Sequence, residues 1–259
     1  MNKIKQTIGF IGYGNLGQLL SGGFSDLYNI VYFDTSKNLA IKTVHKRIDS
    51  IGELVDVSDI ILIATPASSF GAVIKQIINC GASDKLIIDV LSTKVLADDI
   101  YNNYKDNLNN ILSLHPLFGP PSYRNFQKDL RVVVCKSMGD KSLKFLNLLR
   151  NHYNFKLIEI TADEHDKHMA LHHAVPYVLA HALSKIDFNK NPSNLTIPSE
   201  EKLRRIVDIA NNESDSLYKT IVSANPYAEA AIQDLTQAIN SEVNFLWPNN
   251  SAQKKVTIK

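Results

Sequence analysis

Thr7-Ile-Gly-Phe-Ile11 runs directly into Gly12-Tyr13-Gly14-Asn15-Leu16-Gly17, and a helical stretch, Gln18 to Phe24, follows. A short, continuous apolar run marks a strand buried on both faces. A Gly-x-Gly-x-x-Gly turn between such a strand and a helix is the setting in which the phosphates of a dinucleotide are held. The reasons are steric and electrostatic. Gly12 permits a tight turn, Gly14 lets a pyrophosphate approach the backbone, and Gly17 lets helix and strand pack closely. The helix start then offers free N–H donors and a partial positive charge. All six residues from Gly12 to Gly17, with Tyr13, Asn15 and Leu16 between the glycines, are therefore candidate cofactor-binding residues. Asp34 closes the next apolar run, Ile30-Val-Tyr-Phe33. A carboxylate there accepts from the ribose hydroxyls and repels a 2′-phosphate, so NAD is expected and NADP disfavoured. No Arg follows Asp34 immediately, although Lys37 is near. Thr65, just past the run Ile60 to Ala64, joins the same set.

Outward from this turn the pattern repeats. Apolar runs recur at Leu86-Ile-Ile-Asp-Val90, Ile111-Leu-Ser-Leu114, Arg131-Val-Val-Val-Cys135 and Phe155 to Ile160, with helical spacing between them, as at Phe70 to Cys80 and Ser142 to His152. Strand and helix in alternation predict an α/β fold, a mostly parallel sheet with helices on both faces. After Ile160 the strand signal stops. Thr161-Ala-Asp-Glu164 is a capping box that opens a long, largely apolar helix to about Ile186, kinked at Pro176. A polar loop, Asn189 to Pro198, precedes a helix from about Ser199, and Asn225-Pro226 starts another that runs to about Phe245. The expected domains are 1–160, carrying the dinucleotide site, and 161–259, all-helical.

Composition narrows the classes. In 259 residues, 28 Lys+Arg against 26 Asp+Glu leave a net charge of +2, which calls for neither nucleic acid nor an anionic membrane. The apolar runs are far below the roughly 18 residues of a membrane span. Two cysteines build no disulfide framework, and the start shows no signal-peptide architecture. A soluble, cytoplasmic protein is expected.

Two segments fall where open parallel sheets bind ligands, past the carboxyl ends of strands. One is Asp89-Val-Leu-Ser92-Thr-Lys94; the other is His115-Pro-Leu-Phe-Gly119-Pro120-Pro121. A histidine so placed, ahead of a stiff Pro/Gly turn, is expected to line the cleft and take a proton near neutral pH. Ser92 is a candidate to bond His115 and set its tautomer. A capping histidine beside a proline turn is the alternative from spacing alone.

Taken in order, the glycine turn, Asp-x-x-Ser-x-Lys, His-Pro-Leu-Phe-Gly-Pro and Glu164-His165-Asp166 resemble the prephenate/arogenate dehydrogenase family over roughly residues 7 to 245. The resemblance implies an N-terminal Rossmann domain and a C-terminal helical domain that dimerises. It implies oxidative decarboxylation of prephenate or arogenate with NAD(P) in tyrosine biosynthesis, with His115 as proton acceptor and Ser92 as its orienting partner.

The sequence departs from that family in two places. The helix motif Ser-His-Leu-Pro-His stands here as His173-Ala174-Val175-Pro176-Tyr177, so Ala174 and Tyr177 replace its histidines. The family's later Arg, which grips a carboxylate, is matched by Asp208, leaving Arg204 as the remaining clamp or as a partner for Asp208. Tyr218 falls near the family's aromatic position. Substrate-binding candidates are thus Arg204, Tyr177, His173 and Tyr218. His168 and His172, at i and i+4 in a cluster with His165, His173 and His181, lack the carboxylate or thiolate set that completes a metal site, so no metal is expected. Two other readings remain. One is another Rossmann reductase of a small acid or imine, which would place a catalytic Lys or Asp on the long helix. The other is a homologue that binds NAD without turnover.

Overall fold

The structure, a computed structural model, describes residues 5–36, 43–119, 130–186, 188, 197–211 and 214–248. Lys37, Pro120, Pro121 and most of the loop that follows 188 lie outside the described residues. The chain divides into two compact units, Met1–Asp166 and Lys167–Lys259.

The first unit is an eight-stranded sheet: β1 (Thr7–Ile11), β2 (Asn29–Phe33), β3 (Lys46–Arg47), β4 (Ile60–Ile63), β5 (Leu86–Asp89), β6 (Asn110–Pro116), β7 (Arg131–Met138) and β8 (Lys156–Glu159). Its strand order is β3-β2-β1-β4-β5-β6-β7-β8. The order reverses direction at β1, and the crevice at such a switch point is where ligands bind. All pairings are parallel except β6 with β7. Strands β4, β5 and β6 are buried along their whole length, including Asp89 of β5 and Asn110, Ser113 and His115 of β6.

Helices α1 (Asn15–Phe24), α2 (Ile51–Val57), α3 (Ala67–Asn79), α4 (Val95–Asn103) and α5 (Asp140–Asn151) connect the strands. Leu20 and Phe24 of α1 and Phe145 and Leu149 of α5 join Ile8, Phe10, Leu62, Ile88 and Leu112 of the sheet in one core. Short β3 and helix α2, which Ser50 caps by accepting from Glu53 N–H, carry too little periodicity to be read from the sequence.

The long helix begins with α6 (Ala162–Met169), and its capping box forms as expected. Thr161 N–H donates to Glu164 Oε2 at 3.0 Å, and Glu164 N–H donates to Thr161 Oγ1 at 3.1 Å. The expected kink takes a specific form. A π-helical turn, Ala170–Ala174, precedes α7 (Val175–Lys185), and Val175 N–H donates to Ala170 O, five residues back. Pro176 then sits in the first turn of α7, directly after the π turn.

Three more helices complete the second unit: α8 (Pro198–Asn211), α9 (Asp215–Ser223) and α10 (Ala228–Leu246). Helix α10 starts three residues after Asn225, whose Oδ1 accepts from Tyr227 N–H at 2.9 Å to close a turn first. Among the described residues the buried clusters here are small. Ala174, Ile221 and Ala228 form one small cluster, Ala180 and Val207 another. Among the described residues, no helix is long and apolar enough to cross a membrane.

Candidate active site

The glycine turn has the geometry its sequence demands. Gly12 has φ +88°, and a Cβ there would lie 2.6 Å from Ala64 O; one on Gly17 would lie 2.6 Å from Gly12 O. Gly14 differs, because a Cβ there would meet nothing within 4 Å. Space, rather than strain, is what Gly14 provides: a phosphate can reach the backbone. Helix α1 begins at that point with no side-chain cap and no acidic residue in its first turn, so its amides stay available to an anion. Thr65 Oγ1, beside Gly12, is buried with no hydrogen-bond partner among the described residues. An open backbone cradle, an uncapped helix start and an orphaned hydroxyl fit a dinucleotide pyrophosphate.

Tyr13 is placed differently from its neighbours. Its side chain is buried, stacks on Tyr32 with ring centroids 4.0 Å apart, and shares a hydrogen bond with Ser21. Its N–H donates to Asp34 Oδ2 at 2.7 Å. Tyr13 therefore serves the turn by packing and by fixing Asp34, not by offering its ring or its amide to a ligand. Asn15 is exposed, while Leu16 packs against the core.

Asp34 Oδ1 accepts from Ser36 N–H at 2.8 Å, so the carboxylate is held firmly at the end of β2. The sequence gives no Arg immediately after Asp34, but the fold brings one close. Arg47 on β3 donates from Nη2 to the Asp34 carbonyl at 2.8 Å. Thirteen residues and a strand pairing separate them, which local spacing does not reveal.

Around β6 the picture changes from expectation in three ways. First, His115 and Pro116 belong to the strand rather than to the turn after it, and His115 pairs with Val133. The antiparallel ladder shifts register between Ser113 and Leu114, where Cys135 of β7 is the extra residue; such bulges re-aim side chains at functional sites. Second, the ring does not line an open surface, because His115 is only 6% exposed. It is not packed in hydrocarbon either. Its Nδ1 lies 2.8 Å from Nε2 of His165, whose Nδ1 lies 2.7 Å from Asp166 Oδ1.

Third, the orienting contact expected from Ser92 is made by His165 instead. Ser92 is half-buried in the turn that leads into α4 and has no hydrogen bond to His115. The same turn carries a buried ion pair. Lys94 Nζ donates to Asp89 Oδ1 at 2.6 Å and to Ser113 Oγ at 3.2 Å, with both charged side chains fully buried. Residue i+2 of Ser113 on the strand is His115, on the same face. Asp166 completes the arrangement. Its carboxylate accepts from Lys94 N–H at 2.8 and 3.0 Å and from Val95 N–H at 2.9 Å, capping α4. Beside this network, burial pushes the Cys135 thiol up to about 12, so it stays neutral. Burial, with the Asp89 carboxylate adding to it, likewise pushes the Tyr101 hydroxyl well above its ordinary value.

His165 and Asp166 are the site residues that spacing arguments missed. The signal was present: Glu164-His165-Asp166 follows a capping box directly, so the helix start fixes where both side chains point.

The candidates on the second unit form pairs. The His173 ring meets Tyr177 edge-on at 5.1 Å, and Tyr177 packs against both small clusters. Tyr218 lies 4.0 Å from the His181 ring, whose Nε2 is buried without a hydrogen-bond partner. Arg204 donates from Nε to Glu200 Oε1 at 2.9 Å and lies over the Phe188 ring, so its acidic partner is Glu200 and not Asp208. His168 and His172 stack at 4.2 Å, and no metal-binding cluster of three or more His, Cys, Asp or Glu exists among the described residues.

Residues 26–153 match the sequence model of a family described as prephenate dehydrogenase, nucleotide-binding domain. That stretch takes in Asp34, Ser92 and His115. About half of the chain thus carries the sequence pattern of that family's nucleotide-binding domain. The chain is 26% identical over 248 residues to Arogenate dehydrogenase 2, chloroplastic, of Arabidopsis thaliana, spanning 90% of this chain and 68% of that protein. It is 23% identical to Arogenate dehydrogenase 1, chloroplastic, of the same plant, again over 90% of this chain but only 38% of the relative. Its fold resembles that of a prephenate dehydrogenase from A. aeolicus, solved with hydroxyphenyl propionate and NAD+, at a TM-score of 0.74 and 16% identity over 98% of this chain and 94% of the other. The match falls entirely within the first unit and identifies residues 26–153 as similar to the nucleotide-binding domain of a dehydrogenase.

Proposed function

We propose that this prephenate/arogenate dehydrogenase homologue oxidatively decarboxylates prephenate or arogenate for tyrosine biosynthesis, using NAD in preference to NADP. One observation carries the reading. At the carboxyl end of β6 a histidine sits in a polar network, bonded to a second histidine and through it to a carboxylate, instead of in apolar packing. Gly12, Gly14, Gly17, the α1 amides and Thr65 would hold the dinucleotide phosphates, and Asp34 the adenosine ribose. When bound, the nicotinamide supplies the hydride acceptor.

His115 takes the proton of the substrate's 4-hydroxyl as the hydride leaves the carbon that bears it. The resulting ring carbonyl draws the electron pair of the carboxylate bond at C1, carbon dioxide departs, and the ring becomes aromatic. Aromatisation supplies the driving force, so the chain's task is to position the reactants and accept one proton. His115 is only 6% exposed, so little water competes with its electrostatic contacts.

Arg204, Tyr177, His173 and Tyr218 are the proposed substrate contacts, with Arg204 exchanging Glu200 for a substrate carboxylate. Arg204→Ala is expected to raise KM about tenfold or more with kcat little changed, the value of one charge-assisted bond; an unaltered KM removes it from the role. The protein is further proposed to be a cytoplasmic homodimer, supported by the exposed apolar residues Ile239, Val243, Phe245 and Trp247 at the end of the chain's helical unit.

The deciding experiment follows NADH or NADPH formation with prephenate and with arogenate, each with NAD+ and NADP+. Turnover of one of the two acids with NAD+ is expected. Binding of NAD+ with turnover of neither acid would favour the non-catalytic reading.

A further inference from the structure

We propose that His165 is a positioning residue which, held by Asp166, fixes His115 with its Nε2 as the proton-accepting atom and shares the charge that His115 acquires. The inference rests on the reading of His115 as proton acceptor, and deepens it. It follows from counting donors and acceptors along the chain of contacts. Asp166 accepts from Lys94 N–H, from Val95 N–H and from His165, so it is an ionised carboxylate with no proton to give. His165 must therefore carry its hydrogen on Nδ1, which leaves a lone pair on its Nε2. The 2.8 Å contact between His165 Nε2 and His115 Nδ1 then needs its hydrogen from His115. A neutral imidazole has one N–H, so His115 is protonated at Nδ1, and its Nε2 is the basic nitrogen.

The proton balance closes over one turnover. The substrate O–H bond breaks and an N–H bond forms at His115 Nε2. When carbon dioxide leaves and the electron pair reaches the ring oxygen, that oxygen takes the proton back from Nε2 as a phenol, and His115 is neutral again. The imidazolium keeps its Nδ1–H directed at His165 or passes that proton to His165 Nε2, and Asp166 stays ionised beside whichever ring is charged. No redox step belongs to this relay. His165 and Asp166 are both fully buried, so the carboxylate acts on the ring pair through little water. Among the described residues, the neighbouring lysines and the cysteine of α4 and β7 are committed or neutral. Lys94 at the start of α4 is paired with Asp89 of β5. Lys136 of β7 is paired with Asp98 of α4. Cys135 of β7 holds its proton up to about 12.

Two measurements test it. In the free protein, imidazole ¹⁵N shifts should show His115 and His165 both protonated at Nδ1. His115 protonated at Nε2 would overturn the relay whatever the substrate proves to be. In turnover, His165→Gln keeps polarity at the position but cannot carry charge. It should lower kcat by about 10- to 100-fold, and move the acid limb of the kcat/KM profile down by about one pH unit, while NAD+ affinity holds. A limb and kcat unchanged in His165→Gln would mean that His165 only fills space. Should that variant fail to fold, His165→Asn and the tautomers of the unaltered protein carry the same test. Loss of turnover with both acids in the unaltered protein, with the Nδ1 tautomers intact, would instead strike the proposed reaction and leave the relay standing.

Discussion

His115→Asn keeps a polar side chain on β6 while removing the basic nitrogen. Turnover should fall by about 10² to 10⁴, the usual contribution of a positioned base, with NAD+ affinity unaltered; unchanged turnover would release His115 from its role. Asp34 offers a second test of one side chain. Arg47 already lies against the Asp34 carbonyl, so Asp34→Ser removes the repelling carboxylate and leaves a guanidinium close by. The ratio of kcat/KM for NAD+ over NADP+ should drop by about tenfold or more, one charged hydrogen bond's worth. A parent enzyme that already prefers NADP+ would refute the role given to Asp34. Both residues show how much a single position tells. His115 was marked by the proline and glycine residues after it, and Asp34 by its distance from Gly12, both local signals. Arg47 acts through strand pairing, and no neighbour in the sequence announces it, whereas His165 is marked only by the capping box beside it.

Among the elements, α4 is the one whose end matters most. Its first amides have no cap from their own segment and depend on Asp166, more than seventy residues on in the chain. Asp166→Ala would leave those buried N–H groups and that of His165 without an acceptor. A loss of about 2–4 kcal/mol is expected, measured as a lowered thermal midpoint of the first unit. A midpoint unchanged within error would show that water replaces the carboxylate. The strands were legible because each is a continuous apolar run, and the capping box at Thr161 was legible because it is local. Three things were not. Strand β3 is two residues long, α9 is a short helix whose Ser214 cap resembles a loop residue, and the antiparallel turn of β7 depends on pairing with β6. The length of β6 was also underestimated. His115 and Pro116 read as the start of a turn, but β7 extends the ladder to include them.

At the scale of the whole molecule, the two units differ in how well they are filled. Among the described residues, the sheet unit has a broad core, whereas the buried clusters of the helical unit are a few alanines, Val207 and Ile221, with Phe245 79% exposed. A second copy covering α10 is the expected remedy. Sedimentation equilibrium should give twice the 28.9 kDa chain mass, and Val243→Asp should shift that mass towards the monomer. A monomeric parent at micromolar concentration would exclude this arrangement.

The π turn at Ala170–Ala174 carries a consequence for length variation in this region. A π turn is an α-helix holding one surplus residue. Deleting a single residue there would let the backbone relax into unbroken α-helix, and every side chain of α7 would swing by about 100° around the helix axis. His181 would leave Tyr218, and Ala180 would leave Val207. Homologous chains can therefore gain or shed one residue at this point only by trading away the whole face that α7 presents to α8.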